Sequence, residues 1–239
     1  MLTELVRPGD RIEIKAVAHA IMGNVSGKKA YTSRVYDILD DEQLEILMPM
    51  DGTKLLLLPV GGEYEFCFYT KRGLYQCFIR IIDRYKSNNS YILLCELTSA
   101  LGKYQRREYY RYACVLPLKT RELMDEELKA IEENKFRMQV GLKMEKCQIV
   151  DISGGGLRFT APVAYEPGTQ IAVCFCLNVH GKETPYDLVG NVLSSKENEM
   201  QRGIYEHRLQ FTVINNKQRE EIIRYIFEEE RKTRKRIAE

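Results

Sequence analysis

What this sequence has least of is an excess of charge. Its 36 lysines and arginines are almost balanced by 34 aspartates and glutamates, a formal net charge of +2. Bulk composition therefore supplies no polycation to hold nucleic acid or an acidic membrane, and basic residues can matter only by position. Histidine is nearly absent, at three residues, and none of the seven cysteines falls in a C-x-x-C pair. Both facts argue against a zinc site and predict no metal. The odd cysteine count excludes a simple disulfide framework; buried free thiols in a reducing, cytoplasmic compartment are expected instead. Within that set, Cys174 and Cys176 alternate in an apolar run and share one face of a strand. No window approaches eighteen uninterrupted apolar residues, and Met1 to Asp10 holds no apolar signal-peptide core, so a soluble chain without membrane insertion is expected. Catalytic sets are missing too. The first half offers no Ser/His/Asp group and no paired carboxylates in a glycine-framed pocket. The glycine turn at 154–156 is not followed by the Lys-[ST] of a P-loop. An enzyme is not expected, nor a cofactor. Internal repeats and low-complexity segments are also lacking.

What remains is 239 residues, 44% hydrophobic and 29% charged, enough for two domains of about a hundred residues each. Pro8-Gly9-Asp10 is a turn, and Arg11 to Ala16 alternates charged and apolar side chains as a half-buried strand does. Gly23 to Lys29 is a loop by composition. Further strands are expected at Tyr31 to Ile38, Leu44 to Met48, Tyr64 to Tyr69, Leu74 to Ile82 and Tyr91 to Leu97, with turns at Arg72-Gly73 and Ser87 to Ser90 between the last three. About seven short strands without a long amphipathic helix predict a small antiparallel sandwich or barrel over 1–100, an interaction module.

The second half, 101–239, carries at its head the interdomain linker 98–111, which opens on the small, polar stretch Thr98 to Lys103. Strands are expected at Tyr112 to Leu118, ending at or near Pro117, then at Met138 to Val150 and Leu157 to Thr160. Thr169 to Leu177, Tyr186 to Leu193 and Tyr205 to Val213 follow. Between the first two, Arg121 to Lys135 is charged enough for a helical insertion or a mobile loop. At the end, Asn215 or Asn216 caps a helix with Ile222, Ile223, Ile226 and Phe227 on one face and 231–236 as a basic last turn. The whole chain is therefore expected to be mainly β: two small antiparallel barrels, the second of five or six strands closed by a C-terminal helix.

Two short segments carry chemistry. The first, Gln105 to Arg111, holds Arg106, Arg107 and Arg111. Arg107 and Arg111 lie ~13 Å apart if extended, and next to each other on a helical turn. Guanidinium forks bind phosphate oxygens or the O6/N7 edge of guanine in two-point fashion, which lysine cannot do. Tyr109 and Tyr110 interleave aromatic surface. The second segment is Asp151-Ile152-Ser153-Gly154-Gly155-Gly156. An aspartate accepts from the N1–H and exocyclic amine of guanine, a donor pair that adenine lacks. The serine hydroxyl can donate to phosphate or base. Three glycines permit positive φ and close approach of backbone to a ligand. Alone, the first is a solvated face and the second an Asx-type turn; together, in this order, they point to a receptor for a phosphate-bearing nucleotide.

In that combination the chain resembles PilZ domains, bacterial receptors for cyclic di-GMP with the signature RxxxR followed by D/NxSxxG. The likeness runs from about Lys103 to the end, while the first half is similar in strand pattern to the β-domain of flagellar-brake proteins of the YcgR type. The resemblance implies that Arg107 and Arg111 grip phosphate and guanine and that Arg106 contacts a second, stacked ligand molecule. It assigns Asp151 and Ser153 to a guanine edge and Gly156 to keeping the turn open. It also implies a ligand-driven change of interdomain arrangement and a partner in the flagellar motor, stator or rotor, with recruitment to the basal body. The segment 121–143 is longer than a minimal PilZ hairpin needs. The alternative is a nucleic-acid binder using the Arg106–Arg111 cluster and the basic tail 231–236; against it stand the near-neutral net charge and the acidic Glu228-Glu229-Glu230 beside that tail.

Overall fold

A computed structural model describes residues 2–17, 30–133, 135, 137–139 and 141–238. The loop expected at Gly23 to Lys29 lies outside the described residues. The chain divides into two units, Met1–Arg106 and Arg107–Glu239.

In the first unit, α1 (Leu2–Leu5) precedes β1 (Arg11–Ala16), β2 (Ala30–Ile38) and β3 (Gln43–Leu47). A two-strand flap, β4 (Met50–Asp51) and β5 (Lys54–Leu55), follows, and then β6 (Glu63–Thr70), β7 (Gly73–Ser87), β8 (Ser90–Leu97) and β9 (Gly102–Lys103). The order β6-β1-β2-β3-β8-β7, with β7 pairing back onto β6, closes a six-stranded antiparallel barrel, and β9 lies along β7. Alternation drives closure: Ile12 and Ile14 of β1 face Tyr64, Phe66 and Phe68 of β6 across one core, and period-2 patterning leaves Arg11, Glu13 and Lys15 on the outer face. Asn88 and Asn89, at φ 45° and 65°, turn the β7–β8 hairpin in the left-handed geometry that asparagine tolerates. The short α1 was not evident from the sequence; its Leu2 and the following Val6 are fully buried in this core.

The second unit contains β10 (Tyr112–Glu122), α2 (Asp125–Glu132), β11 (Glu145–Ser153), β12 (Gly156–Ala161), β13 (Gln170–Val179), β14 (Lys182–Asn198), β15 (Gln201–Val213) and α3 (Asn216–Ala238). Its six strands close in the order β10-β11-β12-β15-β14-β13. Strand β10 runs through Pro117 rather than ending there. The β13 ladder begins only at Lys119, so at Pro117 one edge of β10 is unpaired and a missing N–H is tolerated. Strand β11 starts at Glu145, later than alternation suggested. Met138 and Met144 instead pack on a small cluster around Leu123, Ala172 and Val189. The charged insertion is tied down by Arg121, whose guanidinium donates to both Glu127 oxygens at 2.6 Å, all of it buried.

Asn215 caps α3: its side chain accepts from Gln218 N at 2.8 Å, and the Gln218 side chain accepts from Asn215 N at 3.1 Å. Ile222, Tyr225 and Ile226 enter the barrel core. Phe227, expected on that face, is exposed instead, because a 3.6-residue period brings Tyr225 round in its place. The thiols also differ from expectation. All seven are free, but only Cys67, Cys77 and Cys95 are buried, while Cys176 is exposed on the outer face of β13.

Candidate functional site

The β11–β12 hairpin is the centre of the second unit's motif. Ser153 pairs with Gly156, leaving Gly154 and Gly155 as a two-residue turn, so Asp151 must oppose Arg158. The Ser153 hydroxyl is buried and donates to the Gly156 carbonyl at 3.0 Å, closing the turn on itself. Asp151 is bonded across the hairpin: Arg158 Nε donates to its Oδ2 at 2.6 Å, and Arg158 Nη1 reaches Glu206 of β15 at 3.0 Å. The row Asp151–Arg158–Glu206 therefore lies on the outer face of the barrel, held across three strands.

The three glycines do not have the backbone geometry expected of them. None takes a left-handed φ. They are bare because their neighbours are too close for a side chain. A β-carbon on Gly156 would stand 2.0 Å from the Leu209 carbonyl oxygen of β15. One on Gly154 would meet the Tyr109 ring at 2.7 Å and Ile223 of α3 at 2.8 Å, and one on Gly155 the same ring at 2.9 Å. The turn is a flat platform under Tyr109. Arg219, in the first turns of α3, lies 5.3 Å from the centroid of that ring and donates to the Gly154 carbonyl at 2.7 Å.

Tyr109 belongs to the irregular segment between β9 and β10, so the arginine segment is carried onto the turn by its own aromatic residue. Arg107 and Arg111 are both exposed. Arg111 directly precedes Tyr112, whose register partner is Ile152. The backbone thus brings Arg111 alongside Ser153, with Asp151 two residues away on the same strand. Arg106 is instead occupied inside the first unit, where Nη1 donates to Glu13 at 3.1 Å and to Tyr69 Oη at 2.7 Å.

Sequence reasoning missed Arg158, Glu206 and Arg219. The first could have been found, since a two-residue turn after Ser153 fixes 151 opposite 158 by arithmetic. Glu206 and Arg219 had no local signal. Among the described residues no cluster of three or more His, Cys, Asp or Glu is placed to hold a metal ion, and no helix is long and apolar enough to cross a membrane.

The PilZ domain family matches residues 105–228, more than half of the chain. The chain belongs to the PilZ family. Ahead of its PilZ domain, residues 7–96 match the family described as flagellar protein YcgR. Among solved structures, the chain is similar to the Bacillus subtilis inhibitor of motility (MotI/DgrA), at 15% identity and TM-score 0.74, covering 96% of this chain and 100% of that one. A second similar structure is Escherichia coli YcgR in complex with c-di-GMP, at 12% identity, TM-score 0.47, and 96% and 88% coverage. No curated protein matches the sequence. With the inhibitor of motility the likeness is one of fold, and it spans both barrels.

Proposed function

We propose that this PilZ protein is a cytoplasmic receptor for cyclic di-GMP and that binding regulates a protein partner of the flagellar motor, stator or rotor, as a motility brake does. The observation that carries the proposal is that Arg111, directly before β10, comes alongside Asp151 and Ser153 of β11, beside a glycine platform that already seats an aromatic ring. Arg107 and Arg111 grip phosphate and the guanine O6/N7 edge. Asp151 accepts from N1–H and the exocyclic amine, which makes the site selective for guanine over adenine. Ser153 and Gly156 keep the hairpin in register under the ligand. The PilZ domain spans 101–239 with the linker 98–111 at its head, the first barrel is the interaction module, and that linker transmits binding as a change in interdomain arrangement. Membership of the PilZ family supports the ligand class.

The nucleic-acid alternative is weaker, because tail cations are already engaged: Lys232 pairs with Glu229 and Arg234 with Glu230, each at 2.6 Å. Isothermal titration with cyclic di-GMP, with cyclic di-AMP and GTP as controls, tests the proposal. Saturable binding selective for cyclic di-GMP is expected. Each two-point arginine contact is worth ~1–3 kcal/mol, so R107A or R111A should weaken binding roughly 5- to 150-fold. Wild-type affinity in either variant would remove the arginines from the site.

A further inference from the structure

Outside the PilZ motif, a polar network stands on β1 and β6 of the first barrel. The register places Glu13 opposite Cys67 and Arg11 opposite Tyr69, so Glu13 and Tyr69 share an outer face. Tyr69 Oη donates to Glu13 Oε2 at 2.7 Å. Arg106 Nη1 donates to the same Tyr69 oxygen at 2.7 Å and to the same Glu13 oxygen at 3.1 Å, which closes a triangle. Arg11 covers the Tyr69 ring at 4.9 Å from its centroid, and Lys15 stands 3.9 Å from Glu13. Burial opposes the charged form of Glu13, yet the Tyr69 hydrogen bond and the charges of Arg106 and Lys15 prevail and hold its carboxyl below the usual range. Glu13 is only 16% exposed while Arg106 is 47% exposed. The acceptor is therefore built into the barrel, and the donor is the part that can leave.

Arg106 is also the residue directly before Arg107, at the head of the arginine segment. Both N–H groups of Arg106 Nη1 are committed to Glu13 and Tyr69, and a carboxylate and a phosphate compete for a guanidinium edge with the same geometry. We infer that Glu13 and Tyr69 determine the ligand affinity of the arginine segment by holding Arg106, so that the ligand must exchange a carboxylate for a phosphate rather than meet a ready cation. This inference rests on the cyclic di-GMP reading of the site. If the hold is closed most of the time, the apparent dissociation constant is raised by the reciprocal of the open fraction. For one partly exposed ion pair reinforced by a phenol, that factor is roughly three to ten.

The test uses the full-length chain with Glu13→Gln, which keeps the shape and removes the charge, and Tyr69→Phe, which removes only the hydroxyl. Neither residue lies in the arginine or glycine segments. Calorimetry with cyclic di-GMP is expected to show binding roughly three- to tenfold tighter in either variant, with the gain abolished when Arg106→Gln is added. Hydrogen exchange without ligand is expected to quicken at amides 105–111 in Glu13→Gln and to stay unchanged in the barrel strands. Wild type and both variants binding within twofold of one another would overturn the inference and leave the receptor reading standing. Unchanged exchange at 105–111 would also overturn it. If no folded variant, wild type included, binds the dinucleotide, the receptor reading itself fails and the inference falls with it.

Discussion

Alanine substitution along the glycine turn separates packing from ligand chemistry, because the three glycines abut different kinds of neighbour. At Gly156 the obstacle is backbone: the added carbon would lie 2.0 Å from the Leu209 carbonyl oxygen and 3.1 Å from Gln210 Cα. Neither can move without parting β12 from β15. Overpacking of this kind costs about 1–3 kcal/mol, and each ladder hydrogen bond lost adds about 1. A cost of about 3 kcal/mol or more is expected, which for a unit of this size lowers Tm by about 10 °C. At Gly154 the obstacles are side chains, Tyr109 at 2.7 Å and Ile223 at 2.8 Å. Ile223 must change rotamer at the foot of α3, and a cost of about 1–2 kcal/mol follows. At Gly155 only the Tyr109 ring is close, at 2.9 Å, and it sits on an irregular segment that can swing away. Gly155→Ala should melt within about 2 °C of wild type while weakening cyclic di-GMP binding, since the displaced ring belongs to the arginine segment. Circular dichroism melts of the three variants, with calorimetry on those that fold, check the order 156 over 154 over 155. A Gly156→Ala protein melting with wild type would refute the reasoning, as would Gly155→Ala being the worst of the three.

Two further predictions concern stability. The bond to Arg121 holds the Glu127 carboxyl down to about 2 against the opposition of burial, so the pair's stabilisation is complete above about pH 4.5 and is lost as pH falls towards 2. The shift corresponds to about 3 kcal/mol, and Glu127→Gln should remove a comparable amount at pH 7 and flatten the acid limb of a urea-midpoint profile. His207 is fully buried against Phe159, and its Nε2 accepts from Tyr165 N at 3.0 Å, so the ring is neutral and burial lowers its pKa. The unfolded chain then binds the extra proton first, and stability should erode as pH falls below about 6.5, with His207→Gln showing a smaller loss between pH 7.5 and 5.5.

The first barrel was largely legible because its six barrel strands each bury one face, unlike the exposed β4, β5 and β9. Arg11 to Ala16 alternates strictly, and a period of two can be read there without knowing the partner strand. In Tyr64 to Tyr69 the flanking turn residues and the run of aromatics carry the reading, since Cys67 is buried between Phe66 and Phe68. Length was harder. Strand β7 runs to Ser87, well past Ile82, because a register shift between Ile81 and Asp83 lets it continue beyond the point where alternation breaks. The buried Arg121–Glu127 pair could not be seen, because six residues of sequence separation say nothing about whether a charged run folds back on its own strand. In the site, residue types were readable and their occupants were not. Nothing local to the turn says that Tyr109 lies on it, since that contact depends on how the segment before β10 leaves the barrel.

Within each unit taken by itself, the polar groups of the proposed site already answer one another. Arg158 holds Asp151, Ser153 bonds Gly156, Arg219 bonds Gly154, and Arg106 is held by Glu13 and Tyr69. A ligand entering such a site gains only the difference between new and old partners, so affinity depends on how strained or exposed each resident contact is. The Ser153 bond is buried and closes the hairpin, and breaking it would cost the turn. The Arg106 and Arg158 bonds are part-exposed and link movable side chains to fixed carboxylates. Exchange is therefore cheapest at those two arginines. Under the proposed receptor reading, a ligand phosphate that takes Arg106 leaves the Glu13 carboxylate of the first barrel without its arginine, so the exchange that admits the ligand also changes the charge which that barrel presents.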